Sequence, residues 1–220
     1  MLPTPNLDHL SSEDYEKVYN PAAVSLLLED TFLFLDTLED EVRFIKDDIK
    51  PCICLEIGSG TGCISTFLGQ ILGNGSTHIN PHATATTIAT GHRNSVLLDA
   101  ITTDLTSGLL PRLNHAVDVI CCNPPYVVTP HEDVHSKNIL ERSWAGGING
   151  REVIDQILPL VNNLLSKNGV FYLLVINENM PDEICEKMRK EHQFQSEVVK
   201  FRLAGREKQY ILKFKRCIDN

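Results

Sequence analysis

The chain has 220 residues, 42% of them hydrophobic and 22% charged, and Lys plus Arg 20 against Asp plus Glu 29 leave a net charge of -9 at pH 7. Those proportions describe one globular unit with enough apolar residues for a sizeable core, and they exclude a fibre or a disordered polymer. The acidic balance, with no basic run to offset it, argues against a nucleic-acid substrate, whose phosphates it would repel.

Seven cysteines, Cys52, Cys54, Cys63, Cys121, Cys122, Cys185 and Cys217, show no C-x-x-C spacing. Buried, reduced thiols are therefore expected, with no metal site. Residues 1–20 are polar, without the basic start and apolar centre of a signal peptide, and no apolar stretch reaches the ~18 residues of a membrane span. A cytoplasmic and nuclear protein is expected.

In chain order, 1–20 reads as a polar, partly extended arm. Leu, Phe and Val at helical spacing from Ala23 to Ile45 predict a front helix with a break. Cys52–Ile57 is a short apolar run that ends in Gly58-Ser59-Gly60-Thr61-Gly62, after which Ile64, Phe67, Leu68, Ile71 and Leu72 recur at helical spacing. The pattern predicts strand, glycine turn, helix. A helix is expected over Pro81–Arg93, a strand over Ala100–Thr103, and a strand over Val117–Cys122 that runs into Asn123-Pro124-Pro125-Tyr126. Glu152–Leu165 reads as an amphipathic helix, Val170–Ile176 as a buried strand, and Asp182–Lys190 as another helix. The tail is a hairpin, Ser196–Leu203 and Gln209–Phe214 around Ala204–Glu207. The alternation predicts a doubly wound α/β sheet, mostly parallel, closed by an antiparallel edge.

Three glycines at the mouth of a strand let the backbone turn sharply and lie against a small molecule. Their G-x-G-x-G spacing differs from the dinucleotide fingerprint, and a tight turn with no ligand is the competing reading. With Glu56 in front, the loop resembles motif I of the class I methyltransferases. In Asn123-Pro124-Pro125-Tyr126 the prolines stiffen the chain and remove two donors. The Asn123 side-chain oxygen and the Pro124 carbonyl could then grip both hydrogens of a planar NH2 group, and Tyr126 could offer it a flat face.

N-P-P-Y after such a strand resembles the methyltransferases that act on planar NH2 groups. Pro124–Pro130, Trp144–Val153 (W-A-G-G-I-N-G-R-E-V), Thr103-Asp104-Leu105 and Gly108–Leu113 are closely similar to the eukaryotic HemK-like release-factor glutamine methyltransferases, over about 19–214. The resemblance implies one S-adenosylmethionine-dependent methyltransferase domain with a seven-stranded sheet, acting on the glutamine of the GGQ motif in a translation release factor. It also implies a small zinc-binding activator subunit. Thr31, Glu56, Gly58, Gly60 and Gly62 would lie at the methionine end of the cofactor and Asp104 and Leu105 at its adenine. Asn123, Pro124, Pro125, Tyr126 and Val127 would form the substrate site.

Two departures stand out. The family's Y-x-P-A-E-D-T-F is split here, Tyr19–Ala22 being separated from Glu29–Phe32 by six residues. The family's ribose-binding carboxylate in T-D-I-N-P is replaced by His78, behind a short, turn-like lead-in that predicts a truncated second strand. Two other readings remain open: a variant of impaired cofactor affinity that acts as a binding protein, or an amino-methyltransferase of protein lysine or DNA adenine.

Overall fold

A computed structural model describes residues 2–18, 24–72, 76–77 and 81–217. Helix α1 (Ser12–Val18) precedes α2 (Val24–Asp40). The expected break in the front helix falls at its end, where the chain widens into a π-helical turn over Phe44–Ile49. The first eleven residues are not a free arm. Asn6 exchanges hydrogen bonds with Asn94, its N–H donating to Oδ1 at 2.6 Å and its carbonyl accepting from Nδ2 at 2.9 Å.

Strand β1 (Cys54–Ile57) is buried at all four positions, as a central parallel strand covered on both faces must be. Then come α3 (Cys63–Leu72), β2 (Ser76–Thr77), α4 (Pro81–Arg93), the short α5 (Leu110–Leu113) and β3 (Val117–Cys122). Two further one-turn helices, α6 (His131–Val134) and α7 (Ile139–Arg142), lead to α8 (Glu152–Leu164). Helix α8 buries Ile154, Ile157, Leu158, Val161 and Leu164, one apolar stripe at helical spacing. Each such side chain contributes on the order of 1.5 to 3 kcal/mol by leaving water. Strand β4 (Leu165–Ile176), helix α9 (Pro181–His192) and the hairpin of β5 (Phe194–Ala204) and β6 (Glu207–Arg216) complete the order.

The sheet runs β2-β1-β3-β4-β6-β5, parallel from β2 to β4 and antiparallel where β6 joins β4 and β5. This is the class I methyltransferase arrangement, with six strands among the described residues in place of the expected seven. The missing one is Ala100–Thr103, which enters no ladder. Its neighbour would be β2, whose described residues pair with β1 as Cys54 with Ser76 and Leu55 with Thr77. Instead Thr102 faces Thr84, their hydroxyls 3.2 Å apart, and the Thr103 hydroxyl accepts the Gly108 N–H at 3.0 Å.

Candidate active site

The glycine turn and the N-P-P-Y segment leave neighbouring parallel strands, β1 and β3, at the same end of the sheet. Open α/β sheets bind ligands at this carboxyl end. A Cβ on Gly58 would lie 3.6 Å from the Asn123 carbonyl oxygen, so the two motifs are in contact. Farther along the turn, Gly62 has φ +77 and no room for a side chain, its notional Cβ lying 2.6 Å from the Thr87 Cα on α4. Ser59 and Thr87 hydroxyls meet at 2.8 Å, and the Thr90 hydroxyl donates to the Thr61 carbonyl at 2.7 Å. The turn is thus clamped to α4, and its backbone is left facing the strand ends.

A cavity of about 480 Å³ opens there, within the usual size for a small-molecule site. Of the residues singled out in the sequence, Gly58, Asp104, Leu105, Asn123, Pro124 and Pro125 line it together, joined by Thr103, His135, Arg142 and Gln156. Asp104 and Leu105 reach it on a turn closed by Ser107 N–H donating to the Asp104 carbonyl at 3.0 Å. Asn123 brings an amide whose Oδ1 is buried with no hydrogen-bond partner in the protein. A buried acceptor left open costs about 1–3 kcal/mol, and a ligand NH group would satisfy it.

Other expected residues lie elsewhere. Gly60 and Gly62 shape the turn without lining the cavity. The Glu56 carboxylate points into the first turn of α3, where it accepts the Ser65 backbone N–H at 2.9 Å and also bonds the Ser65 hydroxyl. Burial pushes its pKa from 4.5 up to about 8 against the pull of those Ser65 bonds. Its contribution is to fix the turn. Thr31 is half-buried on α2 and is absent from the described cavity lining. His78, and Tyr19–Ala22 of the split motif, lie outside the described residues.

Tyr126 corrects the expectation of an exposed platform. Only 3% of it is exposed, and its hydroxyl donates to Asp30 Oδ2 at 2.6 Å. The backbone turns at the two prolines so that this side chain enters the core toward α2. Asp30 itself is wholly buried and also accepts from Gln209 Nε2 at 2.5 Å. Burial raises its pKa from 3.8 to about 7; the Tyr126 hydrogen bond opposes the rise, Glu207 adds to it, and bonds from Gln209 and the Asn123 side chain oppose it. Donation of the Asn123 amide N–H to Asp30 orients that amide and leaves Oδ1 as its open acceptor.

The segment after N-P-P-Y is stitched to the W-A-G-G-I-N-G-R-E run. Val127 N–H donates to the Trp144 carbonyl at 3.1 Å, and Gly146 N–H to the Val127 carbonyl at 2.8 Å. Gly150, at φ +65, passes so close to Tyr126 that a Cβ would sit 1.8 Å from its carbonyl oxygen. Asn179 seals the crossing, its Nδ2 donating to the carbonyls of Tyr126 at 2.8 Å and Asn149 at 3.0 Å. Arg151 bonds Asp155 at 2.9 Å and Glu183 at 3.0 Å. The run therefore braces the N-P-P-Y segment from behind.

Sequence reasoning missed Asp30, Gln209 and Asn179. Asp30 stood inside the quoted E-D-T-F tetrad and could have been weighed beside Thr31. Gln209 and Asn179 carry no local signal, because each is a polar residue defined by distant partners.

No family model matches the chain. A Homo sapiens protein named "Methyltransferase HEMK2" is 45% identical to it over 215 residues, 96% of this chain and 95% of that protein. The Schizosaccharomyces pombe "eRF1 methyltransferase catalytic subunit mtq2" is 32% identical over 232 residues, 98% of this chain and 96% of that one. The solved Mtq2-Trm112 complex of E. cuniculi matches with a TM-score of 0.65 at 28% identity, over 86% of this chain and 96% of that chain. Strand order, the paired glycine and N-P-P-Y motifs at one cavity, and these near full-length likenesses agree: the chain belongs to the HemK-like methyltransferase family represented by HEMK2 and Mtq2.

Proposed function

We propose that the protein transfers a methyl group from S-adenosylmethionine to the side-chain amide nitrogen of the GGQ glutamine in a translation release factor. The observation that carries this reading is the open Asn123 Oδ1 at a cavity shared with Gly58, Asp104 and Leu105. The substrate follows from the relatives, since the S. pombe protein is named an eRF1 methyltransferase and the E. cuniculi complex is described as methylating eRF1.

The residues present fit that cofactor. Gly58 leaves space for a ligand against the backbone, Leu105 gives an apolar surface for a purine, and Asp104 offers a carboxylate to its exocyclic amine. When bound, the cofactor supplies an electrophilic methyl group on a sulfonium. Asn123 Oδ1 and the Pro124 carbonyl accept the two hydrogens of the substrate NH2, which fixes the direction of the nitrogen lone pair. Both acceptors also stabilise the positive charge that grows on nitrogen as it is alkylated. Asp30 and Tyr126 act behind Asn123 as positioning residues, and the proton leaves to water after the transfer.

The E. cuniculi relative is a complex with Trm112, and a small zinc-binding activator of this kind is the expected partner here. Support comes from that likeness, which spans 86% of this chain and 96% of that one. Coexpression with the activator should raise yield and turnover together.

The test is mass spectrometry of the release factor after incubation with the coexpressed protein and S-adenosylmethionine. One methyl group on the GGQ glutamine is expected, and none on a Gln→Ala substrate. Asn123→Ala should lower turnover by about 100-fold or more while calorimetric cofactor affinity stays near the parent value. Methylation at another residue, or no methylation with the activator present, would overturn the reading.

A further inference from the structure

Just beyond N-P-P-Y, three side chains converge to which methyl transfer assigns no chemical role. His131 opens α6, His135 follows its end, and Glu152 opens α8. One donor atom from each, an imidazole nitrogen or a carboxylate oxygen, lies within 4.8 Å of the other two. His131 Nδ1 and Glu152 Oε2 are already 2.7 Å apart, and the histidine rings meet edge to face with centroids 5.0 Å apart. Glu152 is the fixed member, its Oε1 accepting the Ile148 N–H at 3.0 Å. A carboxylate is thus aimed at two imidazoles.

We propose that His131, His135 and Glu152 form a three-ligand site for a divalent cation of the zinc class. Two imidazoles and a carboxylate are a familiar zinc set, with a fourth, tetrahedral position left to water. Tetrahedral coordination with bonds of about 2.0–2.2 Å needs donors roughly 3.3 Å apart, so the exposed histidines need only small rotations to close on the fixed carboxylate. The hard cations Mg2+ and Ca2+, which prefer six or more oxygen ligands, are poorly served.

The location gives the site a consequence. His135 lines the same cavity as Asn123, and Glu152 begins the helix whose Val153, Gln156 and Ile157 line it too. The segments carrying these ligands are already tied by Thr129 N–H donating to the Gly147 carbonyl at 3.1 Å. A bound ion would add a further tie across the cavity rim and hold His135 in place there.

The test is calorimetric titration of the full chain with ZnCl2, in a Cys52→Ser/Cys217→Ser background that removes the exposed thiols. One equivalent should bind at micromolar or tighter affinity, with no comparable response to MgCl2. His131→Ala combined with His135→Ala should weaken Zn2+ binding by about 100-fold or more. A melting temperature in EDTA equal to the parent's shows that the double variant is folded. If it is lower, CoCl2 loading of the Cys-substituted parent decides: tetrahedral ligand-field bands that vanish in Glu152→Gln support the site. Unweakened Zn2+ binding in the folded double variant, or a parent that binds no Zn2+, would overturn it.

Discussion

The two edges of the sheet are built differently. On one side β4, β6 and β5 run for 12, 10 and 11 residues in long antiparallel ladders, and Val170–Ile176 is buried throughout. On the other, the described part of β2 is Ser76–Thr77, and Ala100–Thr103 enters no ladder among the described residues. The cavity spans this asymmetry. Asn123 stands on the strongly supported half, braced by Asp30, Gly150 and Asn179. Asp104 and Leu105 stand on the weak half, held by the hydrogen bonds of one turn. The difference teaches that the Asn123 end of the cavity is specified by packed backbone, whereas the Asp104–Leu105 end depends on a few local bonds.

Removing the support on the strong half should have the largest effect. Gly150→Ala places a methyl group 1.8 Å from the Tyr126 carbonyl at a positive φ, so urea denaturation should show a loss of about 3 kcal/mol or more, with turnover falling as N-P-P-Y shifts. A loss below about 1 kcal/mol would show that this half yields easily, and the contrast between the halves would fail.

The buried carboxyl on the same half offers a subtler probe. Asp30 has its pKa raised from 3.8 to about 7, so the folded state holds a proton that the unfolded state releases. The stability from that proton is full below about pH 4 and is lost as pH rises through 7. Asp30→Asn stays neutral, and Gln209, whose Oε1 has no partner, can flip its amide to accept from the new NH2. Between pH 5 and pH 8 the variant should therefore gain roughly 2 kcal/mol relative to the parent. Parallel pH profiles of the melting temperature would show that Asp30 is ionised throughout.

At the other end of the cavity, His78→Asp tests the expectation that a carboxylate at this position binds the ribose hydroxyls. Two charge-assisted hydrogen bonds of this kind should tighten S-adenosylmethionine binding about tenfold by calorimetry. Unchanged affinity would show that position 78 does not limit cofactor binding.

How much of this was legible depended on the range of the interactions. β1, β3, α8 and the C-terminal hairpin were readable because each writes its burial into local spacing, four consecutive buried positions in β1 and a 3.6-residue stripe in α8. The strand expected at Ala100–Thr103 has the apolar and β-branched character of one, but a strand exists only with a partner, and among the described residues this segment pairs with none. Tyr126 misled for the same reason. Its chemistry suits a stacking platform, yet which way it faces was settled by Asp30, 96 residues away.

By itself, then, the sequence determined the α/β alternation, the glycine turn and the N-P-P-Y segment, since these follow from side-chain period and from backbone chemistry within a few residues. Only the tertiary structure decided that Glu56 bonds Ser65 in the first turn of α3, that Asp30, Tyr126 and Gln209 form a buried network behind Asn123, and that His131, His135 and Glu152 meet at the rim. Those contacts join groups up to 179 residues apart. Their partners are chosen by how helices and strands pack, and no local pattern encodes that choice.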